Sequence, residues 1–115
     1  MVTTDFSTEL VRSCADMVIL TLLGDKPMHG YDILLSLGNL GNGQFRLKQG
    51  TLYPLLYRLE REGWISAKWE TPPQGKKRKV YRLTAEGKKV QQNRALEWKR
   101  FTASINSIMR DIADE

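Results

Sequence analysis

The stretch Gly50-Thr51-Leu52-Tyr53-Pro54-Leu55-Leu56-Tyr57-Arg58-Leu59-Glu60-Arg61-Glu62-Gly63 decides how this chain is read. Leu52, Leu55, Leu56 and Leu59 stand at i, i+3, i+4 and i+7, one apolar stripe of a helix over about 50–62. Pro54 is expected in or near the first turn, because deeper it removes a backbone bond. Gly63 stands where a left-handed residue ends a helix. The opposite face carries Thr51, Tyr53, Pro54, Tyr57, Arg58 and Arg61. Hydroxyl and guanidinium groups donate to phosphates and base edges, and aromatic rings cover sugars and methyls. Lys48 and Gln49 precede the helix, where backbone amides favour phosphate oxygens. A solvated face with amphipathic tyrosines has the same composition, so the flanking segments must decide.

Upstream, a first helix is expected over 7–23. Leu10, Cys14, Met17 and Thr21 recur at helical spacing, with Val11, Val18 and Leu22 beside them. Gly24-Asp25-Lys26-Pro27 stops it. A second helix starts near His29-Gly30 and ends between Gly38 and Leu40, with Ile33, Leu34 and Leu37 on its apolar face. Gly38, Gly41 and Gly43, with Asn39 and Asn42 between them, break it, and Phe45-Arg46-Leu47 is a short extended piece.

Downstream, Trp64 to Glu70 and Val80 to Leu83 have the content of strands. The turn between them runs from Thr71 to Lys79 and ends on the basic run Lys76-Lys77-Arg78-Lys79. A basic turn alone is as often merely solvated. One hairpin after an amphipathic basic helix, it is a wing for phosphate contact. Thr84 caps a last helix extending to about Asp111. The order is helix, helix, helix, strand, strand, helix, without internal repeats. The chain is therefore mainly α (α+β), a winged helix-turn-helix over 1–83 with a C-terminal dimerisation helix over 84–115.

In that last helix Trp98, Phe101, Ile105, Ile108 and Ile112 follow steps of 3, 4, 3 and 4, a heptad seam. No later element covers it, so a second chain is the expected partner, and a two-fold dimer fits a palindromic DNA site. The alternative is that the seam folds back on its own domain. Trp98 either packs on its mate or stacks on a flat, small hydrophobic effector.

Charge placement agrees with a polyanion partner. Of the 115 residues, 44–82 hold ten Lys or Arg against three acids, a net +7. Since the whole chain is +5, the remainder is −2. A single cysteine, Cys14, excludes an internal disulfide and a Cys-based zinc site and fits a cytoplasmic location. Neither a signal peptide at Met1–Phe6 nor a membrane span is expected; the longest near-apolar run is Met17 to Leu23. His29, the one histidine, lacks companions at ligand spacing, which favours a capping or surface role over a metal. His29 and Tyr31 are also candidate phosphate contacts at the start of the second helix. No nucleophile setting, carboxylate pair or phosphate loop is present, so no catalysis, cofactor or metal is expected.

Several pieces match a known pattern in order and spacing. They are Met28-His29-Gly30-Tyr31-Asp32-Ile33, the run Gly50 to Glu60, Glu62-Gly63-Trp64-Ile65, Arg78-Lys79-Val80-Tyr81-Arg82-Leu83-Thr84, and Gly87. Together, from Val18 to Gly87, they resemble the PadR family of bacterial transcriptional regulators. The resemblance implies a winged helix-turn-helix, a dimer built on the terminal helices, and repression by blocking a promoter. It implies that the Thr51–Arg58 helix enters the major groove while the wing holds the backbone. Many members have a small hydroxyl residue near Lys48 to cap that helix. Lys48-Gln49 departs from this, which makes Lys48 a phosphate contact instead. The short C-terminal part resembles the compact branch of the family. Some compact members bind flat hydrophobic drugs between subunits beside a tryptophan of the last helix, where Trp98 falls. The length is also similar to that of a clock-associated, period-extending repressor of cyanobacteria.

Three functions follow as expectations: a dimeric sequence-specific DNA-binding repressor, a sensor of flat apolar ligands at the dimer seam, or a protein-interaction module on a winged fold. The basic centre favours the first.

Overall fold

Ser7 opens the first helix, α1 (Thr8–Asp25), its Oγ accepting the Leu10 N–H at 3.3 Å. In the computed structural model of the chain, residues 6–40, 43 and 45–113 are described, with side chains as far as residue 110. Gly41, Asn42 and the side chain of Ile112, which carry expectations above, lie outside that set.

After α1 the elements run β1 (Met28–His29), α2 (Gly30–Gly38), α3 (Gln49–Arg61), β2 (Ile65–Glu70), β3 (Arg78–Leu83) and α4 (Ala85–Ala113). The first three helices pack around Ile19, Leu20, Ile33, Leu37, Leu52, Leu56 and Leu59, all fully buried. Phe45 and Leu47 of the α2–α3 connection alternate with exposed Arg46 and Lys48, as an extended segment lying on a core does. Ile65 and Tyr81 extend the core onto the sheet.

The sheet is antiparallel in the order β1-β3-β2, with Tyr81 opposite both Met28 and Ala67. The strand β1 is not legible in the sequence: two residues have no periodicity, and their extended state comes from pairing with β3. The turn into β2 follows the sequence closely. Gly63 adopts φ +82, its N–H bonds the Glu60 carbonyl at 3.0 Å, and the Trp64 N–H bonds the Leu59 carbonyl at 3.0 Å. These are the two bonds of a glycine-terminated helix end.

Two expectations are corrected. Pro54 is the sixth residue of α3, in its second turn, because the helix already starts at Gln49. There the proline cannot bond the Gly50 carbonyl; it sits on the exposed face, where water can satisfy that group. The basic run does not all belong to the turn. β3 begins at Arg78, opposite Glu70, and Lys79 lies opposite Trp69. Opposite charges across the ladder favour that extra pairing, and Gly75 at φ +111 makes the reversal.

Thr84 ties the hairpin to α4. Its hydroxyl donates to the Gly63 carbonyl at 2.7 Å and accepts the Gly87 N–H at 2.9 Å, while its own N–H bonds the Trp64 carbonyl at 3.1 Å. The first half of α4 then packs on α1, and beyond Arg94 its side chains are mostly exposed. The projecting helix stretches the molecule to 57 × 35 × 21 Å. Among the described residues no helix is long and apolar enough to cross a membrane.

Candidate nucleic-acid interface

The leucine stripe buries one side of α3 and so turns Gln49, Tyr53, Pro54, Tyr57, Arg58 and Arg61 outward. Thr51 is half-buried at the edge of that face. Tyr57 is the most open of the aromatic residues, 65% exposed, with the Arg61 guanidinium 6.0 Å from its ring centroid. Lys48 occupies the cap position and makes no side-chain cap bond. Its carbonyl instead accepts the Thr51 and Leu52 N–H groups at 3.0 and 2.9 Å. The resulting face carries aromatic rings, guanidinium groups and a helix start on one side, and it can take phosphate oxygens and base edges together.

His29 caps α2: its Nδ1 accepts the Asp32 N–H at 3.3 Å, and its Nε2 lies 3.1 Å from Asp32 Oδ2. Both nitrogens therefore face Asp32. Tyr31, one residue into α2, is exposed and is the more open of the two candidates at this end.

On the wing Lys76, Lys77 and Arg78 are exposed. Lys79 is not with them. Its Nζ lies 3.2 Å from Glu60 Oε1 on α3 and 5.6 Å from the Tyr81 ring centroid, so it braces the hairpin against α3. Burial pushes the Tyr81 phenol above its usual pKa, and the Lys79 charge opposes this. Arg82 pairs with Glu70 at 3.1 Å across the hairpin.

On α4 Trp98, Phe101, Ile105 and Ile108 are all exposed, Ile108 to 69%. The Trp98 and Phe101 rings lie 5.9 Å apart at 41°. On α1 Leu10 of the expected stripe is exposed, and Cys14 and Met17 are half-buried and line a cleft together with Trp98 and Phe101. The stripe that α1 buries in its own core is a different one, Val11, Ala15, Ile19, Leu20 and Leu23. Trp98 stands between two clefts against α1, one of about 260 Å³ reaching Cys14 and Phe101 and one of about 400 Å³ reaching Val18 and Leu40. Burial holds the Cys14 thiol above its ordinary pKa; a backbone hydrogen bond opposes this and the Asp16 charge adds to it.

Asp16, which sequence reasoning missed, is 8% exposed and is the buried charged side chain of the described core. Its Oδ2 accepts from Arg94 of α4 at 2.9 Å and lies 3.8 Å from Arg58 of α3. An acid set between Ala15 and the apolar run from Met17 was the available signal. Its arginine partners are far away in sequence and could not be inferred from it. No group of three or more His, Cys, Asp or Glu that could hold a metal ion occurs among the described residues.

The model of the transcriptional regulator PadR-like family matches residues 19–93. A Mycobacterium tuberculosis protein, transcriptional regulator Rv3488, is 34% identical over 91 residues, which cover 77% of this chain and 81% of that protein. The crystal structure of a PadR family transcriptional regulator from Eggerthella lenta is similar, with a TM-score of 0.78 and 32% identity over 88% of this chain and 86% of that one. A transcriptional regulator from Clostridium thermocellum superposes with a TM-score of 0.80 and 29% identity, covering 89% of this chain and 96% of that one.

Proposed function

Since the chain belongs to the PadR-like family of transcriptional regulators, we propose that it works in the cytoplasm, without catalysis of its own, as a homodimeric repressor that binds palindromic double-stranded DNA. In this reading residues 1–83 bind DNA and residues 84–115 dimerise. The observation that carries it is the open face of α3, where Tyr53, Tyr57 and Arg58 stand beside a helix start lacking a side-chain cap. Arg58 with Gln49 and the tyrosines reads base edges in the major groove, and Lys48 and Tyr31 hold phosphates. Lys76, Lys77 and Arg78 lie along the backbone and add affinity without sequence preference. The exposed Trp98–Ile108 seam supports a second copy as its partner, because an apolar stripe of this kind is normally covered.

The test is transcription in vitro from a promoter carrying the DNA upstream of this chain's own gene. A transcript that falls as protein is added supports repression; an unchanged or rising transcript contradicts it.

The clefts beside Trp98 favour one further reading, a small flat hydrophobic effector that tunes DNA affinity. Quenching or shift of tryptophan fluorescence by a flat aromatic cation such as ethidium, lost in Trp98→Ala, supports it. An unchanged spectrum contradicts it.

A further inference from the structure

We infer that Asp16 is a positioning residue that couples α4 to the DNA-reading helix, by deciding whether Arg58 points at DNA or at the protein. The inference rests on the proposed role of α3. Among the described residues Asp16 is the one buried acid, and it meets arginines of α3 and α4. A buried carboxylate needs a cation, and two are within reach. Arg94 holds the position at 2.9 Å, and Arg58 waits at 3.8 Å, too long for a hydrogen bond. Both approach the same oxygen, Oδ2, while Oδ1 accepts the Met17 N–H at 2.7 Å. The two guanidinium groups share one acceptor atom, and Arg94 holds the shorter contact. While Arg94 is bonded, Arg58 stays half-exposed and available for a base.

Arg94 is placed to respond to the seam. It lies four residues before Trp98, lines the same 260 Å³ cleft, and its guanidinium sits 5.8 Å from the Trp64 ring centroid. A shift of α4 relative to α1 lengthens the Arg94–Asp16 bond. Asp16 then draws in Arg58, and the recognition face loses a donor. Asp16 thus turns a movement at the seam into a change in base reading, with no displacement of α3 required.

The test uses the full chain, labelled duplexes of the DNA upstream of its own gene and a scrambled control, and four variants. Arg94→Met is expected to weaken upstream binding by about tenfold, the loss of one base contact, with little change on scrambled DNA. Adding Asp16→Asn removes the pull on Arg58, and the double variant should return to within about twofold of wild type. Arg94→Lys keeps the cation and should bind as wild type does. Arg58→Ala should bind as weakly as Arg94→Met. The Arg58 Nε–H resonance, read without DNA, should move in Arg94→Met and return in the double variant. Equal losses in Arg94→Met and the double variant, or a still Arg58 resonance, overturn the coupling. Should Arg94→Met not fold, the double variant decides: near wild-type binding supports the coupling and lost binding overturns it. A folded wild type that binds neither duplex overturns the proposed function and the coupling together, whereas tight wild-type binding with an unrestored double variant overturns the coupling alone.

Discussion

Tyr53 closes over Gly30: a β carbon on Gly30 would stand 2.6 Å from Tyr53 Cε1 and 2.9 Å from its hydroxyl oxygen. The first residue of α2 is thus the seat of a ring on the exposed side of α3. The contact belongs to the far end of a side chain that is 41% exposed, so the ring can swing away. Gly30→Ala should cost less than about 1 kcal/mol of stability, the low end for overpacking. It should weaken DNA binding by about tenfold, near 1.4 kcal/mol. Urea melts and titration of the same duplex measure both; a stability loss with unchanged binding would separate Tyr53 from the interface.

Gly87 has no such outlet. A β carbon there would overlap the Trp64 carbonyl and stand 2.8 Å from Leu83 Cδ1. Backbone cannot step aside as a phenol can. Gly87→Ala should destabilise by at least about 2 kcal/mol, whereas Gly38→Ala, with nothing within 4 Å, should be neutral or stabilising. Equal midpoints in urea for the two variants would contradict the packing of α4 on the hairpin.

Lys77 and Lys79 should behave differently although they stand two residues apart. Lys77→Ala should weaken upstream and scrambled duplexes alike and reduce the salt slope by about 1. Lys79→Ala should leave the slope nearly unchanged, because its ammonium is already given to Glu60. Matching slope changes in both would place Lys79 on DNA.

Phe101→Glu puts a charge into the exposed seam between Trp98 and Ile105. The variant should sediment as a monomer at micromolar concentration and lose most of its DNA affinity, since two half-sites no longer act together. An unchanged sedimentation coefficient would contradict the seam.

Cys14 should be slow to alkylate. Burial raises its thiol pKa above the ordinary value, so the reactive thiolate is scarcer at pH 7 than in an unfolded chain, and it grows about tenfold per pH unit until the raised pKa is reached. Iodoacetamide rates should rise with pH and level off at a higher pH than for the chain in urea, where the reaction should be faster at neutral pH. A rate at pH 7 equal to that of the unfolded chain would contradict the burial.

What was legible in the sequence were the long periodic segments and the residues that punctuate them. The leucines of α3, Gly63 and Thr84 announce their places because each acts through its immediate neighbours. What was not legible depends on partners distant in sequence. Met28–His29 is a strand only because β3 lies beside it, and the Lys79 ammonium turns to α3 where Glu60 is within reach. The Leu10–Cys14–Met17–Thr21 stripe was visible, yet periodicity cannot say which of two stripes on α1 faces its own core. The aromatic and basic residues of α3 were found from composition on one helix face. Asp16 was not, because its meaning comes from Arg58 and Arg94 together.

The most direct measurement is fluorescence anisotropy of labelled duplexes at two salt concentrations, comparing the DNA upstream of this chain's own gene with a scrambled sequence of equal length. The account predicts tighter binding to the upstream DNA and affinities that fall steeply with salt, by about 0.9 logarithmic units per tenfold salt for each phosphate neutralised. A folded protein that binds neither duplex at low salt would contradict it.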